Sequence, residues 1–340
     1  MTKTIPFTPL NLQPRQRADA GVSGSATRIL FIDNLRWTMI ILVVSMHAAD
    51  TYSPLGNWYF VDRRPLSTGS LLFFAAWQMY LQSFFMGLLF FVAGYFVPHS
   101  FDRKGATRFV RDRALRLGVP VLFYMFILGP AIEYFVAHSW TSTRPTSFVS
   151  EWLKHIRNGQ FLQENGPLWF CLALLMFSLG YAILRGSNLN ATRDVAEVRE
   201  PGIPGTGSLV GFALTMAALT FMVRALHAPT LFNLPLRDFA QYALLFSAGI
   251  LAYRNHWLSG ISYVVGMRWL KVALSFGFAG WLSLLLYGGA LHGRASTYSG
   301  GWHWQNAAFA SWESLTCVAL CYGLLVWFRE KYNRQGVYER

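Results

Sequence analysis

Long apolar segments place the strongest constraint on the fold of this chain. Eight such runs are separated by glycine, proline and charged residues, and each is long enough, or nearly so, to cross a bilayer as a helix. They lie near residues 30–49, 72–97, 117–138, 167–184, 208–227, 237–253, 269–291 and 307–328. Because a lipid-exposed backbone must satisfy its own polar groups, the sequence predicts an all-α, polytopic transmembrane helix bundle with about eight spans.

Composition supports a membrane protein. The 340 residues are 54% hydrophobic and only 13% charged, whereas soluble domains carry about 25% charged residues. The formal net charge of +13 would suggest nucleic acid on a soluble protein, but here the basic residues lie between the apolar runs. We therefore expect membrane lipids and an anionic small molecule as partners, and no nucleic acid.

The distribution of Lys and Arg predicts the topology. With the N-terminus inside, 20 of the 29 basic residues lie on the cytoplasmic side and six lie outside, so both termini are expected in the cytoplasm. Residues 1–28 are predicted to be a cytoplasmic tail, 29–330 a transmembrane domain and 331–340 a C-terminal tail. Asp33 and Arg36 make the first run a poor signal peptide, so a multi-pass protein of the cell (inner) membrane is expected.

The first run carries the most informative polar residues, Asp33, Arg36 and His47. Arg36 and His47 are 11 residues apart, a spacing that returns to one helix face within about 20° and about 16 Å further along the axis. An arginine at mid-depth costs about 2.5 kcal/mol or more, so such residues usually face a protein interior or a water-filled cavity. This stripe is a candidate catalytic site, with Arg36 near the cytoplasmic face and His47 near the outer face.

Two chemical roles are open for His47. A neutral imidazole can take a proton from a hydroxyl near neutral pH, or it can attack an acyl group and carry it. The structural alternative for the stripe is an Asp33–Arg36 ion pair at the cytoplasmic interface, with His47 in an interhelix hydrogen bond.

A dense basic cluster precedes the third run. It comprises Arg108, Arg111, Arg113 and Arg116. Guanidinium groups bind phosphates well, so the cluster is a candidate site for an anionic partner that carries phosphates. The alternative is a loop that sets the topology and contacts anionic lipid.

Three further residues are candidates for substrate binding: Asp33, Glu133 and Trp169. Trp169 opens the fourth run after Pro167, where it can stack on a sugar or anchor the membrane interface. Glu133 and Glu313 are expected to be buried acids, either functional or paired with an arginine such as Arg224 or Arg237. No metal site is expected, since the three cysteines lie in apolar runs without partner ligands.

Four segments, in this order along the chain, resemble motifs of the membrane-bound acyltransferase family 3. They are Ile32-Asp33-Asn34-Leu35-Arg36 with His47, Gly87 to Phe96, Arg108-Phe109 to Pro120 with its Arg113-x-x-Arg116 motif, and Pro167-Leu168-Trp169-Phe170. Each motif is loose by itself, but the series is specific.

The resemblance implies an integral-membrane O-acyltransferase. It would move an acyl group, expected to be acetyl, from cytoplasmic acyl-CoA to a hydroxyl of an extracytoplasmic glycan or lipid-linked sugar. By the match, Arg36 and His47 are the essential pair, and Arg113 and Arg116 face the acyl-CoA. Family members usually have ten helices, so the last two are expected to be missing. The alternatives are an exporter of an anionic solute and an inactive truncated family member.

Overall fold

The computed structural model describes residues 29–56, 60–62, 64–140, 147–163, 165–187, 202–227 and 232–334. Every regular element in these ranges is helical, which confirms the predicted all-α fold. The predicted tail 1–28 and most of the predicted C-terminal tail lie outside the described residues.

The longer helices follow the apolar runs in chain order. They are α1 (Leu30–Tyr52), α2 (Thr68–Lys104), α3 (residues 106–140), α4 (Phe148–Arg157), α5 (Trp169–Ser187), α6 (Thr206–Ala225), α7 (Phe239–Arg254), α8 (Tyr263–Tyr287) and α9 (Trp304–Lys331). α4 is a short helix in the connection after α3, and the other eight correspond to the eight runs.

Seven helical segments within the described ranges are long and apolar enough to cross a membrane. The sixth run is the exception, because α7 has only 16 residues. At 1.5 Å per residue it extends about 24 Å, less than the hydrocarbon core of about 30 Å. The expected number of about eight spans therefore becomes seven candidate spans and one shorter helix, which packs against α2 and α6.

α2 and α9 form the centre of the bundle. In its most apolar stretch α2 has 67% of its residues buried, and α9 has 78%. The corresponding values for the other five candidate spans are 17–28%. A helix that is apolar on all sides must be enclosed by protein or by lipid. The peripheral helices accordingly expose large apolar side chains such as Ile183 and Phe276, as expected for contact with acyl chains.

Two π-helical turns interrupt α3: Ala114–Gly118 and Tyr124–Leu128. Each begins six residues before a proline, Pro120 or Pro130. A proline offers no N–H to the carbonyl four residues earlier and its ring collides with that carbonyl, so a wider turn relieves the clash. The carbonyl of Phe126, four residues before Pro130, instead accepts a hydrogen bond of 2.7 Å from the indole N–H of Trp152. The helix is thus distorted before Pro130 as a π turn, and the hydrogen bond from Trp152 joins α4 to α3.

Polar contacts join the helix ends on the side of the bundle that the Lys and Arg distribution predicts to be cytoplasmic. The Asn34 side chain on α1 donates hydrogen bonds to the carbonyls of Tyr332 and Arg334, just beyond α9. Arg254 at the end of α7 pairs with Asp102 near the end of α2 at 2.8 Å. The first helix is therefore held to the last one, on the side where Arg36 lies.

Candidate functional site

A cavity of about 1020 Å³ lies between α1, α2 and α5, and residues of α3 and of the segment before α7 complete its lining. Ligand pockets usually measure about 300–1000 Å³, so this cavity can hold a large ligand. Most of its wall is apolar, including Val43, Phe85, Met86, Leu89, Phe96 and Leu174. Such a wall suits a long, weakly polar chain with charged groups at its ends.

Two arginines lie toward one end of this cavity, which the charge distribution predicts to be its cytoplasmic end and which is called so below. Arg36 is one turn and a half into α1, and Arg113 belongs to α3. Arg36 also pairs with Asp33 at 3.6 Å, and the Arg113 guanidinium lies 5.2 Å from the ring centre of Phe109. Arg36 of the predicted stripe and one member of the basic cluster therefore meet at one cavity.

His47 lines the outer end of the same cavity together with Asp50 and Arg237. Arg36 and Asp50 are 14 residues apart on α1, which corresponds to about 21 Å along the helix axis. The cavity thus follows α1 through most of the membrane thickness. The residue patterns predicted neither Arg237 nor Asp50 as a site residue.

Asp50 lies close to His47 on the same helix. Its Oδ2 atom lies 3.5 Å from His47 Nδ1. Its Oδ1 atom accepts a hydrogen bond of 2.8 Å from Gln78 Nε2 on α2. The one available sequence signal is an acidic residue three positions after the histidine, which places both side chains on one helix face.

Trp169 lies in the cavity wall, packed against other aromatic rings. Its ring centre is 5.5 Å from that of Tyr242 on α7 and 6.4 Å from that of Phe90 on α2. Phe90 and Tyr242 stack at 4.9 Å. Trp169 therefore joins α5 to the centre of the bundle and presents part of its surface to the cavity.

Two connecting segments meet at the outer rim. Asn165, fully buried before α5, donates a hydrogen bond of 2.5 Å to the carbonyl of Phe232. The amide of Asn233 donates to the Asn165 side chain at 3.2 Å. These contacts hold residues 233–237 over the outer end of the cavity, where Pro167 of the other segment also lies.

A buried ionic cluster anchors the start of α7 beneath this rim. Arg224 of α6 donates to Asp238 at 2.5 Å and to Glu313 of α9 at 2.7 Å. Glu313 is thus a buried acid, as predicted, and it takes the structural alternative of pairing with Arg224. Buried charges need such partners because desolvation of an isolated ion is costly.

Glu133 is not a buried acid, so that expectation is wrong. Its side chain is 61% exposed and lies 3.8 Å from His155 of α4, away from the cavity. Burial lowers the pKa of His155, although the Glu133 carboxylate acts in the opposite direction. Glu133 lies near the outer end of α3, where the chain can meet water and α4 rather than the bundle core.

Four other predicted residues do not line the cavity. Asp33 pairs with Arg36 but is not part of the cavity lining. Arg108, Arg111 and Arg116 are exposed on α3. Only Arg113 of the basic cluster turns inward, because its position shares a helix face with buried Phe109, four residues earlier.

Comparison with known proteins gives one match. The model of an acyltransferase domain family, Acyl_transf_3, matches residues 29–337 and so covers the whole helical bundle. No curated protein and no solved structure matches the chain.

Proposed function

This chain belongs to the acyltransferase 3 family, and we propose that it moves an acetyl group from cytoplasmic acetyl-CoA to a hydroxyl of an extracytoplasmic glycan or lipid-linked sugar. Family membership makes it a membrane O-acyltransferase in general. The observation that carries the finer proposal is the cavity that joins Arg36 and Arg113 at its cytoplasmic end to His47 at its outer end.

The cytoplasmic end would take the donor. CoA carries phosphates, for which arginine forks are well suited, and Arg113 and Arg36 are the guanidinium groups that line the cavity there. Exposed Arg108, Arg111 and Arg116 would raise the local concentration of the anionic donor at the membrane surface. The apolar cavity wall beyond Arg36 and Arg113 would accommodate the narrow part of acetyl-CoA that carries the thioester.

The separation of Arg36 and His47 supports different tasks for the two residues. At about 16 Å along the helix axis, their side chains are too far apart to contact one carbonyl group. We therefore propose that Arg36 holds the donor rather than polarises the thioester, and that His47 acts on the acceptor hydroxyl.

The outer end would take the acceptor. Trp169 offers an aromatic surface in the wall of the cavity that His47 also lines, and Arg237 and Asn233 add polar groups at the rim. Aromatic rings with a few convergent polar groups are the usual lining of small-molecule sites. A sugar hydroxyl could thus approach His47 from outside while the thioester approaches it from the cytoplasm.

Export of an anionic solute through this cavity is the alternative function. Transporters usually place paired broken helices at corresponding positions of two repeats. Among the described helices the π turns fall in α3 alone. The helices therefore favour acyl transfer.

The test combines donor binding with transfer. The purified chain in nanodiscs should unfold at a higher temperature with acetyl-CoA, since a ligand that binds only the folded state stabilises it by about 2.7 kcal/mol at a hundredfold excess over Kd. His47→Ala should keep this stabilisation but lose incorporation of labelled acetate into the cell-surface glycan. His99→Ala is the control, because His99 lies on α2 outside the cavity and contacts Tyr253.

Two outcomes would contradict the proposal. Undiminished labelling with His47→Ala at normal expression would remove His47 from the mechanism. Absence of stabilisation by acetyl-CoA, with free CoA and longer acyl-CoA compared in parallel, would remove the donor.

A further inference from the structure

We propose that the acetyl acceptor is a lipid-linked saccharide that enters the cavity laterally from the bilayer, and that Arg237 binds the phosphate between its sugar and its lipid. This inference rests on the proposed function and chooses between the two acceptors named there, a glycan and a lipid-linked sugar. It assigns one occupant, the hydrocarbon chain of the acceptor, to the open side of the cavity.

One side of α1 has no helix packed closely against it. Among the described helices, α1 packs extensively only on α2 and α9. The cavity lies between α1, α2 and α5, and α3 contributes to its wall as well. Because neither α3 nor α5 packs extensively on α1, the cavity can be reached from the bilayer between α1 and these two helices.

Ile40 and Val44 form the α1 edge of this opening, which is called the lateral mouth below. Both residues line the cavity, and they are nevertheless 45% and 64% exposed. They lie one turn apart in the middle of α1, which runs from Leu30 to Tyr52. The lateral mouth therefore lies near the middle of the membrane thickness, at the depth of the lipid hydrocarbon chains.

A hydrocarbon chain suits the lateral mouth better than water or a saccharide does. The cavity wall behind it is apolar and includes Val43, Phe85 and Met86. Apolar cavities stay dry, and the hydroxyl groups of a saccharide would lack hydrogen-bond partners at this depth. With its hydrocarbon chain in the mouth, a lipid-linked acceptor would place its polar part further along α1, toward His47.

Arg237 supplies a cation at the outer end, where this polar part would lie. It is exposed, lines the cavity and belongs to the short turn before α7. Among the described residues, the structure records no ion pair or hydrogen bond of its side chain. Asp238 and Glu313 both pair with Arg224, and Glu313 interacts with Arg237 only at longer range. A guanidinium group in this position matches the oxygen atoms of a phosphate.

Asp50 is an acidic residue at the same end of the cavity, and its carboxylate is held toward α2. Its Oδ1 atom accepts a hydrogen bond of 2.8 Å from Gln78 Nε2, and its Oδ2 atom lies 3.5 Å from His47 Nδ1. The rim segment before α7 instead offers Arg237 and the Asn233 amide. A cation beside an apolar opening between helices is typical of a lipid headgroup site.

The transfer step is the same for a lipid-linked acceptor as for a free glycan, and it needs no other reactant. The hydroxyl oxygen of the sugar forms a bond to the carbonyl carbon of the thioester, and the carbon–sulfur bond breaks. The hydroxyl proton ends on the CoA sulfur. The products are an acetyl ester of the lipid-linked saccharide and free CoA.

The choice of acceptor is tested with two fractions. The purified chain in nanodiscs receives labelled acetyl-CoA with either a solvent extract that contains lipid-linked saccharides or delipidated surface glycan. We expect label in the solvent extract, released together with the saccharide when mild acid cleaves the sugar phosphate bond. The delipidated glycan should stay unlabelled.

A matched pair of variants tests the lateral mouth. Val44→Trp should narrow it and lower the labelling of the solvent extract by about tenfold or more, while acetyl-CoA still raises the melting temperature. Ile41→Trp is the control, because Ile41 is equally exposed at 64% on the same helix but does not line the cavity. It should label the extract at the rate of the unmodified chain.

Binding of a polyprenyl phosphate tests Arg237 without the donor. In detergent, this lipid should raise the melting temperature of the chain, and polyprenol and phosphatidylglycerol should raise it much less. Arg237→Gln should weaken the binding of polyprenyl phosphate by about tenfold or more, and Arg237→Lys should recover part of it. Arg294→Gln is the control, because Arg294 is exposed between α8 and α9 and does not line the cavity.

Each arm has its own contrary result. Label in the delipidated glycan alone would overturn this inference and leave the proposed function standing, as would equal losses with Val44→Trp and Ile41→Trp. Polyprenol or phosphatidylglycerol that binds as well as polyprenyl phosphate would exclude the phosphate site. Disulfide-linked dimers of Val44→Cys that form faster than those of Ile41→Cys would show that a second copy covers the mouth, and would also overturn the inference.

The donor arm separates failure of this inference from failure of the proposed function. A chain that acetyl-CoA stabilises but that labels neither fraction would refute the lipid-linked acceptor. A chain that acetyl-CoA does not stabilise and that labels neither fraction would refute the proposed function itself.

Discussion

At the scale of the residue, Arg113 differs from the other arginines of its cluster. Arg108, Arg111 and Arg116 are exposed, whereas Arg113 is half-buried, lies over the Phe109 ring and lines the cavity. Four arginines that look equivalent in the sequence therefore have two different surroundings. Their contributions to binding of an anionic donor should differ accordingly.

Arg113→Gln should weaken binding of acetyl-CoA by about tenfold or more, since a hydrogen bond to a charged group contributes about 1.5–3 kcal/mol. Arg111→Gln is the matched control, with the same substitution two residues away on the exposed face of α3. Calorimetric titration in nanodiscs measures both affinities. Equal losses would mean that the cluster acts only through its overall charge.

Residue patterns predicted part of the candidate site. The spacing of Arg36 and His47 was enough to place them on one helix face, because helix periodicity is a local property. Asp50 is different: its contacts involve Gln78 on another helix and the turn at Gly56. The burial of Glu133 was predicted wrongly, because an acidic residue near the end of an apolar run can be either buried or exposed.

At the scale of the element, the tightest described helix contact joins α2 and α7 through glycine. A Cβ atom on Gly94 would lie 2.1 Å from the Phe246 carbonyl oxygen, and one on Gly249 would lie 2.1 Å from that of Phe91. Small residues allow helix backbones to approach closely in membranes. This contact positions α2, which supplies part of the cavity wall, and α7, whose preceding segment forms the outer rim.

Gly249→Ala should lower the stability of the bundle by roughly 1–3 kcal/mol, the usual cost of overpacking. Gly180→Ala in α5 is the control, because no heavy atom lies within 4 Å of the added Cβ. It should be neutral or stabilise by up to about 1 kcal/mol through helix propensity. Thermal unfolding in detergent compares the two variants. Equal melting temperatures would contradict the close α2–α7 contact.

At the scale of the whole molecule, the arrangement depends on which side of the membrane each end of the cavity faces. The charge distribution of the loops predicts that the end near Arg36 and Arg113 faces the cytoplasm. The contacts of Asn34 with the chain beyond α9 place the start of the first helix and the end of the last on that same side.

Two serine-to-cysteine changes test this orientation. Ser296 lies between α8 and α9, Ser259 lies between α7 and α8, and both residues are exposed. In intact cells, Ser296→Cys should react with a membrane-impermeant thiol reagent, and Ser259→Cys should react only after lysis. The unmodified chain is the background, since Cys317 and Cys321 are buried and Cys171 is partly so. The reverse pattern would invert the topology and place His47 toward the cytoplasm.

The sequence by itself determined the helical fold, the positions of the apolar runs and the polar stripe on α1, because hydropathy and helix periodicity are local properties of a chain. Tertiary structure decided which polar residues share a cavity: it selected Arg113, added Asp50 and Arg237, and excluded Glu133. It also paired Glu313 with Arg224. These outcomes depend on how separate helices rotate and approach one another, and that is set by close packing between elements distant in the chain.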